Sequence, residues 1–292
     1  MTQLRIHHAL GRHVDLLWGD VPLARYVHRP DMPQLESPKP YLHPVRTLGG
    51  DLVTAYRPHD HVWHKGIQLA LPHVGEENFW GGVTWVRGEG YRQLANNGSM
   101  DHVEFEALEA GGDRGLIAER LAWHTQAGEH WADERRTLEL RVLGDAWALT
   151  WRSEIHNVSG RDLVFGSPTT NGRPNAGYGG LLWRGPRDFT GGEVLVPGGT
   201  RPEEDVMGTV QPWVAFRGTH DGSLRRTTLA FYGDGQAPWF VRSGVYAVVG
   251  TAPFFHEEFT LGDGETLTLA CDVAIADGAW SEQQVDALRV HA

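Results

Sequence analysis

The chain has 292 residues, 37 of them acidic and 26 basic, for a net charge of −11 with histidine neutral. That balance excludes a phosphate-binding nucleic-acid protein and a basic membrane-surface protein, both of which need clustered Lys and Arg. Hydrophobic residues make up 40%, enough for a substantial core, while 16 His, 12 Trp and 37 Gly point to a polar, aromatic-lined pocket.

The length allows two average domains, or one large β domain of the kind that routinely runs to about 200–250 residues. With a single cysteine, Cys271, neither an intramolecular disulfide nor a cysteine zinc cluster can form. The N-terminal stretch lacks the apolar run of a secretory signal, and no stretch approaches the roughly 18 apolar residues of a spanning helix. These features lead to the expectation of a cytoplasmic, soluble protein with no membrane partner and no nucleic-acid partner.

In chain order, the densest polar cluster is RPHDHVWHKG, Arg57 to Gly66. On a strand, His59 and His61 share a face and could chelate a metal; on a helical turn, Asp60 and His64 would pair instead. A cupin-type site would want a Glu where Lys65 and Gly66 stand. The cluster is therefore read first as substrate-binding and acid–base groups, His61 and His64 above all, with a divalent metal on His59, His61 and His64 as the alternative. Next comes GEENFWGGVTWVRG, which sets Trp80 and Trp85 among glycines and acids, a composition suited to stacking on sugar rings.

Period-two alternation dominates the remainder, predicting antiparallel β structure. Trp147, Leu149, Trp151 and Ile155 fall on one face of a long strand, and Leu267, Leu269, Cys271, Val273 and Ile275 on one face of another, which makes Cys271 a buried structural thiol. Between them, the Gly/Pro-rich stretch Ser167 to Pro186 reads as a long loop carrying Tyr178, Trp183, Arg184 and Arg187 as ligand-contact candidates. Later segments add Arg242, His256, Glu257 and Glu258; adjacent strand residues face oppositely, so at most one of the two glutamates should line a pocket. Turn residues at Leu143-Gly144-Asp145, Tyr232-Gly233-Asp234-Gly235 and Gly262-Asp263-Gly264 predict hairpins. The chain closes on a short helix with Ser281 as N-cap, Gln284 completing a capping box, and Trp280 stapled onto Val285. GxSxG, Walker, GxGxxG and HExxH motifs are all missing, so no nucleotide cofactor is expected.

Four ordered segments, Lys39 to Ile67, NFWGG at Asn78 to Gly82, AGYGGLLWRGP at Ala176 to Pro186, and the closing strand with LGDGETLTL, resemble a bacterial family of soluble proteins labelled PmoA-like (DUF6807-type). The first of these contributes Arg46 as a further substrate-binding candidate. The label derives from a methane oxygenase subunit, an integral membrane protein, so methane oxidation is not expected of a chain without a spanning segment. The order of a His-Gly element, tryptophans, a late acid and L-x-x-G-E is similar to the galactose mutarotase-like superfamily. That resemblance implies an all-β fold, a single large antiparallel β-supersandwich over 1–292 with a short C-terminal helix. It also implies a histidine acid paired with a late glutamate base, which by motif position are His64 and either Glu257 or Glu258.

The resulting expectation is a carbohydrate-active protein, an epimerase- or mutarotase-like enzyme or a related hydrolase or lyase, acting on a small sugar or sugar acid through His/Glu acid–base chemistry. A non-catalytic carbohydrate-binding or sensor protein and a His-liganded metal enzyme are the alternatives. Nothing in the sequence addresses the oligomeric state.

Overall fold

A computed structural model describes residues 2–288. Two large sheets carry the fold, and all strand pairings within them are antiparallel. From edge to edge, the eight-stranded sheet runs Leu4–Ala9, His13–Trp18, Val21–Val27, Tyr41–Val45, Ile67–Ala70, Gly180–Arg184, Val248–Thr251 and Trp239–Arg242. The nine-stranded sheet runs Gly199–Arg201, Glu193–Val196, Val214–Thr219, Arg226–Tyr232, Thr266–Asp277, Ala146–Asn157, His130–Leu143, Arg114–His124 and Ser99–Gly111.

The sheets face each other, because one continuous core takes Leu16, Tyr26, Ile67, Leu69 and Trp183 from the first and Leu138, Trp147, Leu149, Trp151, Val273 and Ile275 from the second. This is a β-sandwich, and its cause is the alternation: Trp147, Leu149, Trp151 and Ile155 all turn inward from Ala146–Asn157. Each such side chain, fully buried, contributes about 1.5–3 kcal/mol. Trp147 also spans the gap, its Nε1 donating to the Arg46 carbonyl at 2.8 Å.

One charged network lies inside this apolar layer. Arg136 donates from Nε and Nη2 to the two carboxylate oxygens of Glu134, at 2.8 and 2.9 Å, and from Nη1 to Tyr26 Oη at 3.1 Å. Tyr26, on the opposite sheet, donates to Glu119, and the Arg136 guanidinium sits 4.8 Å over the Trp151 ring. With Arg136, Glu134 and Glu119 all essentially inaccessible, this network ties the sheets in one register, since a mispaired strand would strand a charge without a partner.

The expected helix forms over Glu282–Ala287 with its Ser281–Gln284 capping box, and Trp280 and Val285 share one apolar cluster. Cys271 is buried, and its thiol is pushed well up by that burial. The turn at Gly144 joins a hairpin as expected. Two other turns do something different. Tyr232 to Gly235 leads from a strand of the nine-stranded sheet to one of the eight-stranded sheet, and Gly262 to Gly264 leads from Phe259–Leu261, in a separate three-stranded sheet, to Thr266–Asp277. Turn chemistry specifies a reversal of direction; which sheet receives the next strand is set by packing. The expected loop over Ser167 to Pro186 likewise contains a central strand, Gly180–Arg184, because its LLWR run is buried on both sides. No helix of the described residues is long and apolar enough to cross a membrane.

Several imidazoles are held neutral by burial, which pushes His43 and His73 down to about 4 and His28, helped by the nearby His102, down to about 3. In the unfolded chain these groups take up a proton below about pH 6.5, whereas the folded chain resists it. Stability is therefore full at neutral pH and falls as pH drops from 6.5 toward 4. Urea midpoints measured at pH 7.5 and 5.0 are expected to differ, with the lower value at pH 5.0; equal midpoints would contradict neutral burial.

Candidate functional site

The outer face of the eight-stranded sheet carries a second, smaller apolar cluster, formed by Ala70, Leu182, Phe240 and Val248 from the strands with Trp80 and Phe255 laid over them. Strand alternation produces it directly. Leu181 and Trp183 point into the sandwich while Leu182 and Arg184 point out, and Val241 and Val249 point in while Phe240, Arg242 and Val248 point out. Above this cluster lies a cavity of about 450 Å³, walled by His61, Trp63, His64, Trp80, Tyr178 and Tyr246, with Tyr91, Arg173, Asn175 and Arg242 also facing it.

The histidine segment is neither strand nor helix. Two consecutive tight turns, His61 N to Pro58 O and His64 N to His61 O, both 2.9 Å, fold it up and bring the His61 and His64 rings into a stack with centroids 4.9 Å apart. Its exit is fixed by Gly66, which has φ +56° and whose missing Cβ would meet the Leu42 carbonyl at 2.0 Å. Beneath the turn, Lys65 points away from the cavity and donates to Glu36 at 2.5 Å, while Lys39, fully buried, donates to the carbonyls of Glu36, Ser37 and Trp80. These cations hold the floor on which Trp80 rests. In the NFWGG motif, Asn78 Oδ1 accepts from Trp80 N and Gly81 N, and the Gly81-Gly82 pair leaves the space that Trp63 fills.

The two imidazoles have different partners and so different proton positions. Arg184 Nη1 lies 3.3 Å from His64 Nδ1. A guanidinium only donates, so this nitrogen carries the lone pair and the proton sits on Nε2, which is buried and has no hydrogen-bond partner among the described residues. Burial, with His61 and Arg184 alongside, holds His64 well below the usual imidazole range and hence neutral. For His61 the neighbour is a carboxylate, Asp60 Oδ2, at 3.3 Å from Nδ1. That contact is an ion-pair distance with poor hydrogen-bond alignment, yet it favours the proton on Nδ1 and leaves Nε2 as the acceptor. Burial lowers His61 as well, against the opposing pull of Asp60. A neutral donor thus stands beside a neutral acceptor.

Arg184 is 1% exposed and stacked 3.8 Å over the Tyr246 ring, with Nε unpartnered. Arg242 is held by Glu203, whose carboxylate also accepts from the Ser243 and Gly244 amides. Tyr178 packs on Trp80 at 4.5 Å and shares a 3.1 Å hydrogen bond with Tyr91.

Of the residues singled out from sequence, His61, His64, Trp80, Tyr178 and Arg242 meet in the cavity wall, with Arg184 directly behind His64. His59 and Asp60 lie on the exposed rim, both bonded to Arg187. Trp183 lies elsewhere: one residue before Arg184 on the same strand, it must face the opposite side, where it packs against Phe216 and Phe231. Arg46 bonds the Gly50 carbonyl away from the cavity. His256 bonds the Gly208 carbonyl, and Glu257 and Glu258 are exposed and outside the cavity wall, because Phe254 and Phe255 turn inward and leave the following residues in solvent. Among the described residues, no three His, Cys, Asp or Glu side chains are grouped to hold a metal ion. Trp63, Tyr246 and Arg173, which the sequence reading passed over, join the wall. Trp63 sat inside the histidine cluster already, but nothing local distinguishes Tyr246 from a strand aromatic.

The model of a family of unknown function, DUF6807, matches residues 13–289. No curated protein matches the chain in sequence. In structure the chain is similar to a galactose mutarotase-like protein from Clostridium acetobutylicum, at 8% identity over 94% of this chain and 98% of that one, TM-score 0.43. It is also similar to a putative aldose 1-epimerase from Escherichia coli K12, at 14% identity over 95% of this chain and 100% of that one, TM-score 0.34. A third similarity is to a GH36 alpha-galactosidase from Geobacillus stearothermophilus, at 10% identity over 94% of this chain and 41% of that one, TM-score 0.38.

Replacing Gly66 with Ala forces a side chain into the Leu42 carbonyl at positive φ. It is expected to destabilise the fold by about 2–4 kcal/mol, read from urea denaturation. An unchanged midpoint would mean that the turn tolerates a Cβ.

Proposed function

We propose that the chain, which belongs to the DUF6807 family of unknown function, binds a sugar or sugar derivative in the cavity over Trp80 and isomerises it by imidazole acid–base chemistry. One observation carries this reading: the stacked His61–His64 pair, neutral on both rings, presenting one acceptor and one donor beside an aromatic wall. Trp63, Trp80 and Tyr178 offer faces for the C–H surface of a pyranose, while the unpartnered Trp63 Nε1 and His64 Nε2 offer donors to its oxygens.

For ring opening at an anomeric carbon, His61 Nε2 takes the hydroxyl proton as the bond from that carbon to the ring oxygen breaks. His64 Nε2–H donates a hydrogen bond to the ring oxygen as negative charge gathers there, and the proton held on His61 then passes to that oxygen, which becomes the free hydroxyl of the open chain. The open-chain carbonyl rotates, and reclosure by the reverse route yields the other anomer. Arg184 keeps the His64 proton on Nε2, and Asp60 steadies the imidazolium formed at His61. The acid–base pair is thus His/His, where the sequence led to the expectation of His/Glu. Methane oxidation is no part of this reading.

A second reading, a binding or sensor protein without turnover, is favoured by one fact: among the described residues no carboxylate stands in the cavity wall. Proton NMR of anomerically pure aldoses and uronates separates the two. The enzyme reading expects equilibration faster than buffer, a loss of at least about 100-fold in His61→Ala, and an acid limb below the 6.5 of free imidazole, because burial lowers His61. Saturable binding with no rate above buffer would leave the binding protein.

A further inference from the structure

The protein is acidic overall, yet the wall of this cavity holds one guanidinium, that of Arg173, without an acidic partner among the described residues, and a second, that of Arg184, is buried directly behind the wall at His64. Arg184 is buried with His64 and Tyr246 as its contacts and, among the described residues, no carboxylate in an ion pair. Arg173 donates to Tyr91 Oη and lies over the Tyr91 and Trp85 rings, at 4.8 and 5.7 Å, again with no acidic partner among the described residues. The two carboxylates nearby are committed: Asp60 to Arg187 at 2.7 Å and to His61, Glu203 to Arg242 and two backbone amides. For Arg184 a buried charge without a counterion is costly, and stacking on the Tyr246 ring offsets only part of that cost, whereas Arg173 is half-buried and open to a ligand.

Resting on the sugar-binding reading above, we infer that the natural ligand is an acidic sugar whose carboxylate pairs with Arg173 and sits in the field of Arg184. Arg173 is pre-aligned for this role: Nη1 donates to Tyr91 Oη and the guanidinium carbon lies 4.8 and 5.7 Å from the Tyr91 and Trp85 ring centroids, so the planar fork has less freedom left to lose when a carboxylate meets it. A carboxylate fits better than a phosphate. Phosphate sites add several backbone amides or a helix N-terminus, and the amides of the glycine pair beside this cavity are already bonded, Gly81 N to Asn78 Oδ1 and Gly82 N to the Leu35 carbonyl. An anionic ligand also explains why the wall holds neutral imidazoles and no acid, since a carboxylate base facing a uronate would repel it.

The test is calorimetric titration with two series matched except at C6: galactose, galacturonate and galactose 6-phosphate, and the corresponding glucose compounds. The uronate of at least one series is expected to bind at least about tenfold more tightly than its neutral sugar, the size of a charge-assisted bond. In Arg173→Gln that advantage is expected to fall below about threefold, while urea denaturation stays at the wild-type midpoint because Arg173 lies on a loop. Neutral and acidic sugars binding within threefold of each other would overturn this inference and leave the sugar reading intact. A phosphate ester binding as tightly as the uronate would overturn the carboxylate assignment, and an undiminished advantage in folded Arg173→Gln would overturn the role of Arg173. No binding by any of the six compounds would overturn the sugar reading beneath it.

Discussion

The pairing of Ile67–Ala70 with Gly180–Arg184 at the middle of the eight-stranded sheet is the constraint on which the site depends. It aligns Trp183 with Ile67, lets Arg184 N donate to the Gly66 carbonyl at 2.8 Å, and so delivers a guanidinium to the histidine turn from a strand 120 residues further along. The same register turns Trp183 and Ile67 into the sandwich core. The candidate site and the core are thus coupled at adjacent residues: the strand cannot slip by one position at the site without turning a tryptophan out of the core.

Two buried arginines show how differently a charge can be used. Arg136 is closed off between the sheets by Glu134, Tyr26 and the Trp151 face, and every donor direction that matters is answered within the protein. Arg184, on the outer face of the other sheet, is answered by an imidazole lone pair and an aromatic ring, with no carboxylate among the described residues in ion-pair contact and only the field of Asp60 opposing its charge. The first arrangement specifies register; the second leaves a buried guanidinium without an ion-pair partner among the described residues. Its consequence reaches His64 as well, because the guanidinium decides which nitrogen holds the proton and thereby makes a buried histidine a donor.

Beneath the cavity, the lysine cluster performs the complementary task. Lys39 replaces a set of backbone hydrogen bonds that the irregular chain around Ser37 and Trp80 cannot make for itself, and Lys65 with Glu36 locks the histidine turn from below. These residues do not line the cavity. Their effect is to give a surface built from loops side-chain hydrogen bonds in place of a strand ladder, and the His-Lys-Gly sequence reflects it: the lysine is a support, and only the histidine before it faces the cavity.

Local pattern alone determined the β class, the inward face of Ala146–Asn157, the buried Cys271 and the capped C-terminal helix. Each of these follows from a periodicity or a short-range hydrogen bond that neighbouring residues make among themselves. The tertiary structure decided what no local pattern encodes: that two hairpin-like turns pass the chain between sheets, that Arg184 meets His64 while Trp183 does not, and that Glu257 and Glu258 stay in solvent. It also brought Arg173 and Tyr246 to the wall. The reason is physical. Alternation shows that adjacent strand residues face opposite ways, but which face meets the core, and what lies across from it, depends on strand pairings over a hundred residues of chain.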